Sequence, residues 1–166
     1  MRVLAMLRVI TVVCTGMLAG IFQGYLMIAS ASDALSPSSF VQHQQIVHMS
    51  YVRIAPPLIL VALVTGLTWL LLVRSRWRSA EFWLIAACTV GIVSIAVVSQ
   101  AVNAPINDQL MTWSISAPPA NLRELWTPWA DAHILRTAVA NVVFVLAVVA
   151  MSLGTSGATV LHEKAP

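Results

Sequence analysis

The chain carries very little charge. Asp, Glu, Lys and Arg make up only 9% of its 166 residues, whereas a soluble domain usually contains roughly 25%. So few charged side chains cannot cover a surface that faces water, and 59% of the residues are apolar. The composition therefore excludes an ordinary soluble domain and a disordered chain, and it indicates an integral membrane protein.

Cysteine is scarce as well. Cys14 and Cys88 lie far apart inside apolar runs, and no C-x-x-C occurs. A disulfide framework is therefore excluded, and both thiols are expected to pack as small apolar groups. The formal net charge is +3, but the basic residues flank apolar runs instead of forming a patch. Such flanking residues orient membrane proteins, and their distribution argues against nucleic-acid binding.

Four long uncharged stretches are rich in Leu, Ile, Val and Ala. At about 20 residues for each membrane-spanning helix, they predict spans at about 9–31, 54–73, 82–102 and 137–153. A fifth uncharged stretch, 34–52, contains Gln, His and Ser side chains that are costly in hydrocarbon. The predicted fold is all-α, an integral membrane bundle of four transmembrane helices in a single domain, 1–153, followed by a flexible tail, 154–166.

The distribution of Lys and Arg predicts the orientation. Six basic residues lie on the side of both termini and three on the other: Arg2, Arg8, Arg74, Arg76, Arg78 and Lys164 against Arg53, Arg123 and Arg136. By the positive-inside tendency, both termini and the tail are predicted to be cytoplasmic. The long loops at 32–53 and 103–136 then share the outer face.

The first apolar run has a second interpretation, a signal peptide cleaved near Ala29-Ser30-Ala31. It is longer than the usual apolar region of about 7–15 residues, which favours retention, but the sequence leaves removal of residues 1–31 open. The run also contains a ridge of small residues, which predicts close approach of another helix. Its members are Gly16, Gly20 and Gly24.

Prolines and caps predict short helical segments in both outer loops. Ser36 followed by Pro37 is typical of an N-cap and the first helical position. Asn103 and Pro105 predict that the third span ends or kinks there, with a short helix following. Pro128 is predicted to begin the last helix, which should extend from about 128 to 153.

Three histidines in the outer loops raise the question of a metal site: His43, His48 and His133. On one helix, at 100° per residue, His43 and His48 would point about 140° apart, so they cannot chelate one ion together. No H-x-x-x-H or H-E-x-x-H motif is present. One of these two histidines could join His133, but carboxylate or other ligands would have to complete the shell. We therefore assign no metal ligands, and the sequence neither requires nor identifies a cofactor.

The last predicted span carries a polar face near its start. Trp129, His133, Arg136 and Thr137 follow the spacing of one helix face, and polar groups in a span normally face the bundle interior. The helix dipole disfavours a cation near an N-terminal end, so Arg136 is expected to need an anion. An acidic substrate or one of three carboxylates could supply it: Asp108, Glu124 or Asp131. The alternative is an arginine that only anchors the helix at the interface.

Other polar and aromatic side chains fall at similar depth on the remaining helices, which predicts a convergent polar pocket near the outer face. Its predicted members are Gln23, His48, Asn103, Asn107, His133 and Arg136, capped by Trp126 and Trp129. For the tryptophans, the alternative is the aromatic belt at the membrane interface.

Two motifs resemble the anthrone oxygenase-like family of small four-helix membrane proteins, many of whose bacterial members are known only as a domain of unknown function. One is N-x-P-x-N, from Asn103 to Asn107, and the other is W-x-x-x-H-x-x-R-T, from Trp129 to Thr137. The glycine-rich first helix and the region around His48 fit the same plan, so the resemblance covers nearly the whole chain. It implies a multi-pass protein of the bacterial plasma membrane.

The resemblance also implies a chemistry. Characterised fungal members oxidise anthrones, which are tricyclic polyketides, to anthraquinones with dioxygen. Applied to this sequence, His133 would take a proton from a carbon acidified by a neighbouring carbonyl, while Arg136, Asn103 and Asn107 hold the enolate-like oxygen. The resulting carbanion could react with dioxygen without a protein cofactor.

The sequence thus supports two hypotheses about function. In the first, the protein is an oxygenase or oxidase of a small aromatic or polyketide-like lipophilic substrate. In the second, it is a non-catalytic membrane protein that binds a lipid, a quinone or a partner helix. A transporter is disfavoured, because four spans without internal repeats are a poor basis for alternating access. The predicted partners are the lipid bilayer and a small lipophilic molecule, and the sequence leaves homo-oligomerisation open.

Overall fold

The computed structural model describes residues 2–163, apart from the side chains of Ser30 and of residues 155–163. The described part contains six α-helices and no strand: α1 Arg2–Asp33, α2 Pro37–Tyr51, α3 Ala55–Val73, α4 Ala80–Val98, α5 Ala104–Leu110 and α6 Leu122–Glu163. A short 3₁₀ helix at Arg74–Arg76 follows α3, and a π-helical segment at Ser99–Asn103 joins α4 to α5.

Four segments of the described part are long and apolar enough to cross a membrane: Arg2–Ala29, Pro37–Arg76, Ala80–Leu110 and Leu122–Gly154. The predicted fold class, an all-α membrane bundle of four transmembrane helices, is therefore confirmed. The bounds of the domain and of each span, and the cytoplasmic location of both termini, remain predictions. Lys164, which contributes to the predicted orientation, lies outside the described residues.

The four long helices pack as a ring. α1 contacts α3 and α6, and α4 contacts the same two helices from the opposite side. Helices α1 and α4 run in one direction, and α3 and α6 run in the opposite direction. We call the end of the bundle where α1 begins the terminal end. The opposite end, where α2 and α5 lie, is the loop end.

Large apolar side chains lie both inside and outside the ring. Trp69 of α3 and Ile85 of α4 are 0% exposed, whereas Leu60 and Val90 on the same two helices are 61% and 69% exposed. Such a surface suits hydrocarbon and not water. In lipid there is little hydrophobic drive between helices, so shape and polar contacts select the inner face of each helix.

A buried ionic cluster joins the helices at the terminal end. The Glu81 carboxylate on the first turn of α4 accepts hydrogen bonds from Arg8 of α1 and, at 2.9 Å, from the indole of Trp69 on α3. Arg76 forms an ion pair with the second carboxylate oxygen of Glu81 at 3.1 Å. Gly154 of α6 packs so closely here that a Cβ would overlap the Arg8 guanidinium. The sequence predicted only an orienting role for Arg8, but the fold makes it an internal ion-pair partner.

The glycine ridge predicted on α1 contacts a neighbouring helix only at its first member. A Cβ on Gly16 would come within 2.9 Å of the Phe144 ring of α6, but nothing lies within 4 Å of a Cβ on Gly20 or Gly24. Residues four apart on a helix drift by about 40°, which turns the later glycines away from α6. The prediction of a continuous packing ridge within the bundle is therefore wrong for Gly20 and Gly24.

The helix boundaries in the outer loops agree with the predictions only in part. Ser36 caps α2 as predicted, and its Oγ accepts a hydrogen bond from the Ser39 N–H at 3.3 Å. The last helix begins at Leu122, however, so Pro128 lies inside α6 and does not start it. α6 also continues past residue 153 to Glu163, while residues 164–166 lie outside the described part.

Candidate functional site

A cavity of about 430 Å³ lies among the helices at the loop end. Small-molecule sites usually occupy roughly 300–1,000 Å³, so this cavity can hold a small organic ligand. Its apolar part is lined mainly by Ala55, Ile59, Leu60, Leu63 and Ala96. Its polar part includes Gln44, His48, Ser99, Asn103, Asn107 and Arg136.

A ladder of stacked rings on α6 forms one wall of the cavity. Trp126, Trp129 and His133 stand three and four residues apart, so they share one helix face. The two indoles stack with centroids 4.4 Å apart, and Trp129 stacks on the His133 ring at 5.0 Å. Tyr25 of α1 meets Trp129 and His133 edge-on. Both tryptophans are buried, so they are walls of the cavity and not members of an exposed aromatic belt.

Both ring nitrogens of His133 are engaged. Nδ1 lies 3.1 Å from an Arg136 terminal nitrogen and accepts its hydrogen bond, because a guanidinium can only donate. The ring proton is therefore on Nε2, which donates to the Phe22 carbonyl oxygen at 3.1 Å. This arrangement makes His133 a neutral side chain that orients Arg136, with no lone pair left to accept a ligand's proton.

Arg136 is a buried cation that forms no ion pair within the described residues. It is 8% exposed, and its guanidinium donates to Ser99 Oγ at 2.8 Å in addition to His133. It also lies 5.0 Å from the centroid of the Phe22 ring. A buried charge without a counter-charge is costly. The burial of Arg136 therefore favours a site that receives an anionic or strongly polar ligand.

The carboxylates considered from sequence are not partners of Arg136. All three are exposed and form no ion pair with it in the described part of the chain: Asp108, Glu124 and Asp131. The argument from the helix dipole also fails, because α6 begins at Leu122. Arg136 then lies about four turns inside the helix, whereas the dipole acts mainly on the first turn.

Asn103 and Asn107 hold Trp129 from two directions. Asn103 Nδ2 donates to the Trp129 carbonyl oxygen at 3.1 Å, and Asn107 Oδ1 accepts from the Trp129 indole nitrogen at 2.8 Å. Because the carbonyl oxygen can only accept, Asn103 must turn its amide nitrogen toward it. Both asparagines therefore position the ring ladder, and Asn103 keeps its Oδ1 as a free acceptor.

The π-helical segment brings Ser99 and Asn103 to the cavity. Pro105 has no N–H, so the usual hydrogen bond to the carbonyl of Ala101 cannot form. In the same turn the Ala104 N–H donates to the Ser99 carbonyl five residues back, the π-helical pattern. The Ser99 hydroxyl can therefore accept from Arg136 while Asn103, in the next turn, bonds to Trp129.

Three buried polar atoms on the cavity wall have no hydrogen-bond partner in the part of the chain that the structure describes: Gln44 Nε2, Asn103 Oδ1 and Arg136 Nε. Gln44 and Asn103 are each only 2% exposed. Buried polar atoms are normally paired, so unpaired ones beside a cavity indicate where a ligand would bond. Two donors and one acceptor suit a ligand with a carbonyl or anionic oxygen and a hydroxyl group.

His48 faces the cavity from α2, and its ring makes no hydrogen bond in the described part of the chain. The Asp108 carboxylate lines the same cavity. Unlike His133, His48 has a lone pair that a ligand's proton can reach. Tyr51, one turn further along, uses its hydroxyl to donate to the Ile21 carbonyl at 3.3 Å.

The structure brings together seven of the eight site residues predicted from sequence: His48, Asn103, Asn107, Trp126, Trp129, His133 and Arg136. Gln23 does not line the cavity. It is exposed on α1, with its Oε1 3.5 Å from Asn141 Nδ2. Its neighbour Phe22 lines the cavity instead, because adjacent helix residues point 100° apart.

Gln44 and Ser99 are cavity residues that the sequence did not single out. Gln44 precedes His48 by four residues and Tyr51 by seven, which is the spacing of one helix face and was the available signal. Ser99 reaches Arg136 from the π turn, which no residue pattern marked. In the described residues, no group of three or more His, Cys, Asp or Glu side chains could hold a metal ion.

The fold and the cavity define a multi-pass helical membrane protein with a ligand-sized, partly polar site among its spanning helices. The sequence model of the anthrone oxygenase family matches residues 44–146, and the chain belongs to this family. The match begins at Gln44 on α2 and ends on α6, so it includes every cavity residue except those of α1. No curated protein and no solved structure matches the chain.

Proposed function

We propose that this protein is an oxygenase of a small, lipophilic, hydroxylated aromatic ketone that binds in the cavity as an anion. The observation that carries the proposal is Arg136, a buried cation that forms no ion pair in the described part of the chain. An enolate or phenolate oxygen would supply the missing charge. Membership of the anthrone oxygenase family supports an anthrone as the first substrate to test.

The two parts of the cavity fit such a molecule. The apolar side chains of α3 and α4, including Ile59, Leu63 and Ala96, would cover fused rings. At the polar side, Arg136 Nε and Gln44 Nε2 would donate to the anionic oxygen, and Asn103 Oδ1 would accept from a hydroxyl group. Each unpaired atom thereby gains a partner, which is the condition for a buried polar group to be stable.

The proposed reaction consumes one dioxygen and releases one water. A base removes a proton from the ring carbon opposite the ketone, and the electron pair remains as an enolate whose oxygen faces Arg136. The enolate carbon transfers its electrons to dioxygen and forms a C–O bond, which gives a hydroperoxide after protonation. Loss of the remaining C–H proton and of hydroxide, by cleavage of the O–O bond, leaves a second carbonyl and water. Arg136 contributes by stabilising the negative charge as it develops.

His48 is the proposed proton acceptor. The sequence suggested His133 for this role, but its Nδ1 accepts from Arg136 and its Nε2 donates to Phe22. In this proposal His133 holds the guanidinium in place, while the ring of His48, which lines the cavity, takes the proton. A neutral imidazole suits this task because one of its ring nitrogens carries a lone pair that can accept a proton.

Non-catalytic binding of a quinone or lipid remains the second proposal, and the hydrogen-bonded state of His133 favours it. A histidine whose two ring nitrogens are both hydrogen-bonded is as compatible with a rigid binding site as with a catalytic one. A quinone carbonyl could accept from Arg136 without any proton transfer. The two proposals differ in whether dioxygen is consumed.

The deciding experiment measures dioxygen uptake and anthraquinone absorbance with purified protein and 1,8-dihydroxyanthrone, against the rate without protein. Oxygenase function predicts one dioxygen consumed for each quinone formed. The Arg136→Lys and His48→Gln variants should each lose at least tenfold in rate, since Lys lacks the planar fork and Gln cannot take a proton. The exposed Arg123→Lys and Gln42→Ala variants are the matched controls and should retain the rate. Retained binding with no uptake would favour the second proposal.

A further inference from the structure

We infer that the cavity opens sideways into the bilayer, through a slot between α3 and the segment from α4 to α5, and that substrate enters from the lipid. This inference rests on the proposed function for the identity of the substrate. It concerns the route into the site, which neither the family match nor the contacts of Arg136 address. The slot is lined by Val52, Pro56 and Leu60 on one side and by Gln100 on the other.

The exposure of the lining residues shows where the wall is open. On α1 and α6, every side chain that lines the cavity is buried: Phe22, Tyr25, Trp126, Trp129, His133 and Arg136. On the opposite side, Val52 is 45% exposed and Leu60 is 61% exposed, and Pro56 and Gln100 are exposed too. The cavity is therefore closed along α1 and α6, and it reaches the exposed surface between α3 and the π-helical segment at Ser99–Asn103.

Two irregular backbone segments flank the slot. The break between α2 and α3 precedes Pro56, and the π-helical segment interrupts the facing helix at Ser99–Asn103. Between α3 and residues 99–110 there is no hydrogen bond in the described part of the chain. The side-chain hydrogen bond that joins α3 to α4 is that of Trp69 to Glu81, at the terminal end.

The slot lies within apolar, membrane-length segments. Pro56 and Leu60 of α3 are four residues apart, so they span about 6 Å along the helix axis. Both fall within Pro37–Arg76, and Gln100 falls within Ala80–Leu110, two of the segments apolar enough to cross a membrane. Exposed Val and Leu side chains at such positions face hydrocarbon. Toward the loop end, buried aromatic residues such as Phe40 and Trp113 cover the bundle.

A slot of this kind selects its substrate by partition. Molecules reach it only if they dissolve in the bilayer, which suits a fused-ring ketone and dioxygen and excludes hydrophilic acids. The polar side of the cavity would then select among lipophilic molecules by hydrogen bonding. Asp108, exposed on the cavity wall beyond Gln100, forms a polar rim on the α5 side.

Spin labels can test the opening without any enzymatic activity. A nitroxide is attached to Leu60→Cys or Gln100→Cys, in a chain carrying Cys14→Ala and Cys88→Ala, in phosphatidylcholine vesicles. We expect collisions with dioxygen to exceed collisions with a water-soluble nickel chelate at both positions. A label on Ser116→Cys, in an exposed loop, should show the reverse. Equal access of the chelate to positions 60, 100 and 116 would overturn the inference, whether or not the protein proves to be an oxygenase.

A kinetic comparison tests the route itself. A hydroxyanthraquinone is added from vesicles, and its binding is followed by quenching of tryptophan fluorescence. The parent is compared with the variants Leu60→Trp and Leu71→Trp. Leu60→Trp should slow association and dissociation by at least tenfold each and change Kd by a much smaller factor, since it narrows the passage more than it alters the binding site. Leu71→Trp, at a comparably exposed position of α3 outside the cavity, should match the parent. Unchanged rates for Leu60→Trp, or a change in Kd alone, would contradict a lateral route.

Discussion

Replacing Arg136 by methionine should weaken ligand binding strongly and leave the ligand-free protein nearly as stable as the parent. The side chain is 8% exposed and forms no ion pair in the described residues. Removing an unpaired buried charge relieves a desolvation penalty of several kcal/mol. Against this, His133 Nδ1 loses its donor, which costs about 1–3 kcal/mol. The two effects oppose each other, so we expect the free energy of unfolding to fall by no more than about 1 kcal/mol.

The expected loss of affinity is much larger. Truncating one partner of a buried, hydrogen-bonded charge pair costs about 2–5 kcal/mol. At about 1.4 kcal/mol for each factor of ten, Kd for an anionic hydroxyanthraquinone should rise about 30-fold to several thousand-fold. The assay combines fluorescence quenching, which gives Kd, with thermal unfolding of the same detergent-solubilised sample.

The control is Arg123→Met on the same helix. Arg123 pairs with Asp33 at 3.0 Å at the protein surface, outside the cavity. Its loss should leave Kd unchanged and lower stability only slightly, since exposed ion pairs contribute about 0–1 kcal/mol. The reasoning is refuted if Arg136→Met binds as tightly as the parent, or if it unfolds far more easily without any change in Kd. Either result would exclude Arg136 as the residue that binds the anionic oxygen of the ligand.

Three further outcomes follow from the packing and the charge distribution. Gly16→Leu should lower the free energy of unfolding by about 1–3 kcal/mol through overpacking, whereas Gly20→Leu should change it by less than about 0.5 kcal/mol; equal effects in a detergent unfolding assay would contradict the assigned contact. Glu81→Gln should destabilise the protein by about 3–5 kcal/mol because it leaves a buried arginine uncompensated, and a loss below about 1 kcal/mol would show that the ionic cluster is dispensable. In intact cells, cysteine introduced at Ser116 should react with an impermeant thiol reagent and cysteine at Ser79 should not, and the reverse pattern would invert the predicted orientation.

Local patterns predicted the class of fold and part of the site. The membrane spans follow from composition, because a chain with only 9% charged residues cannot form a surface that faces water. The Ser36 cap follows from neighbouring residues, and it occurs as predicted. The polar face of α6 also follows from spacing alone, because Trp129, His133, Arg136 and Thr137 recur on the same side of a single helix. Such features depend only on residues close in the chain.

The sequence did not predict how each helix is rotated about its own axis. Lipid is as apolar as a helix surface, so hydrophobicity does not mark which side faces inward. Gln23 was predicted to lie in the pocket, but Phe22 lines it instead. The same lack of contrast explains the glycine ridge, of which only Gly16 meets α6. The π turn at Ser99–Asn103 adds a local rotation that periodicity does not reveal.

The sequence by itself determined that this is a four-span, all-helical membrane protein with histidine and arginine on one face of its last helix. Tertiary structure alone decided which partners those residues contact. It ties His133 to Phe22 and Arg136, pairs Arg8 with Glu81, and leaves Arg136 buried without an ion pair in the described part of the chain. Hydrogen bonds join specific atoms of residues distant in sequence, and their partners depend on helix rotation and depth, which a one-dimensional pattern does not contain.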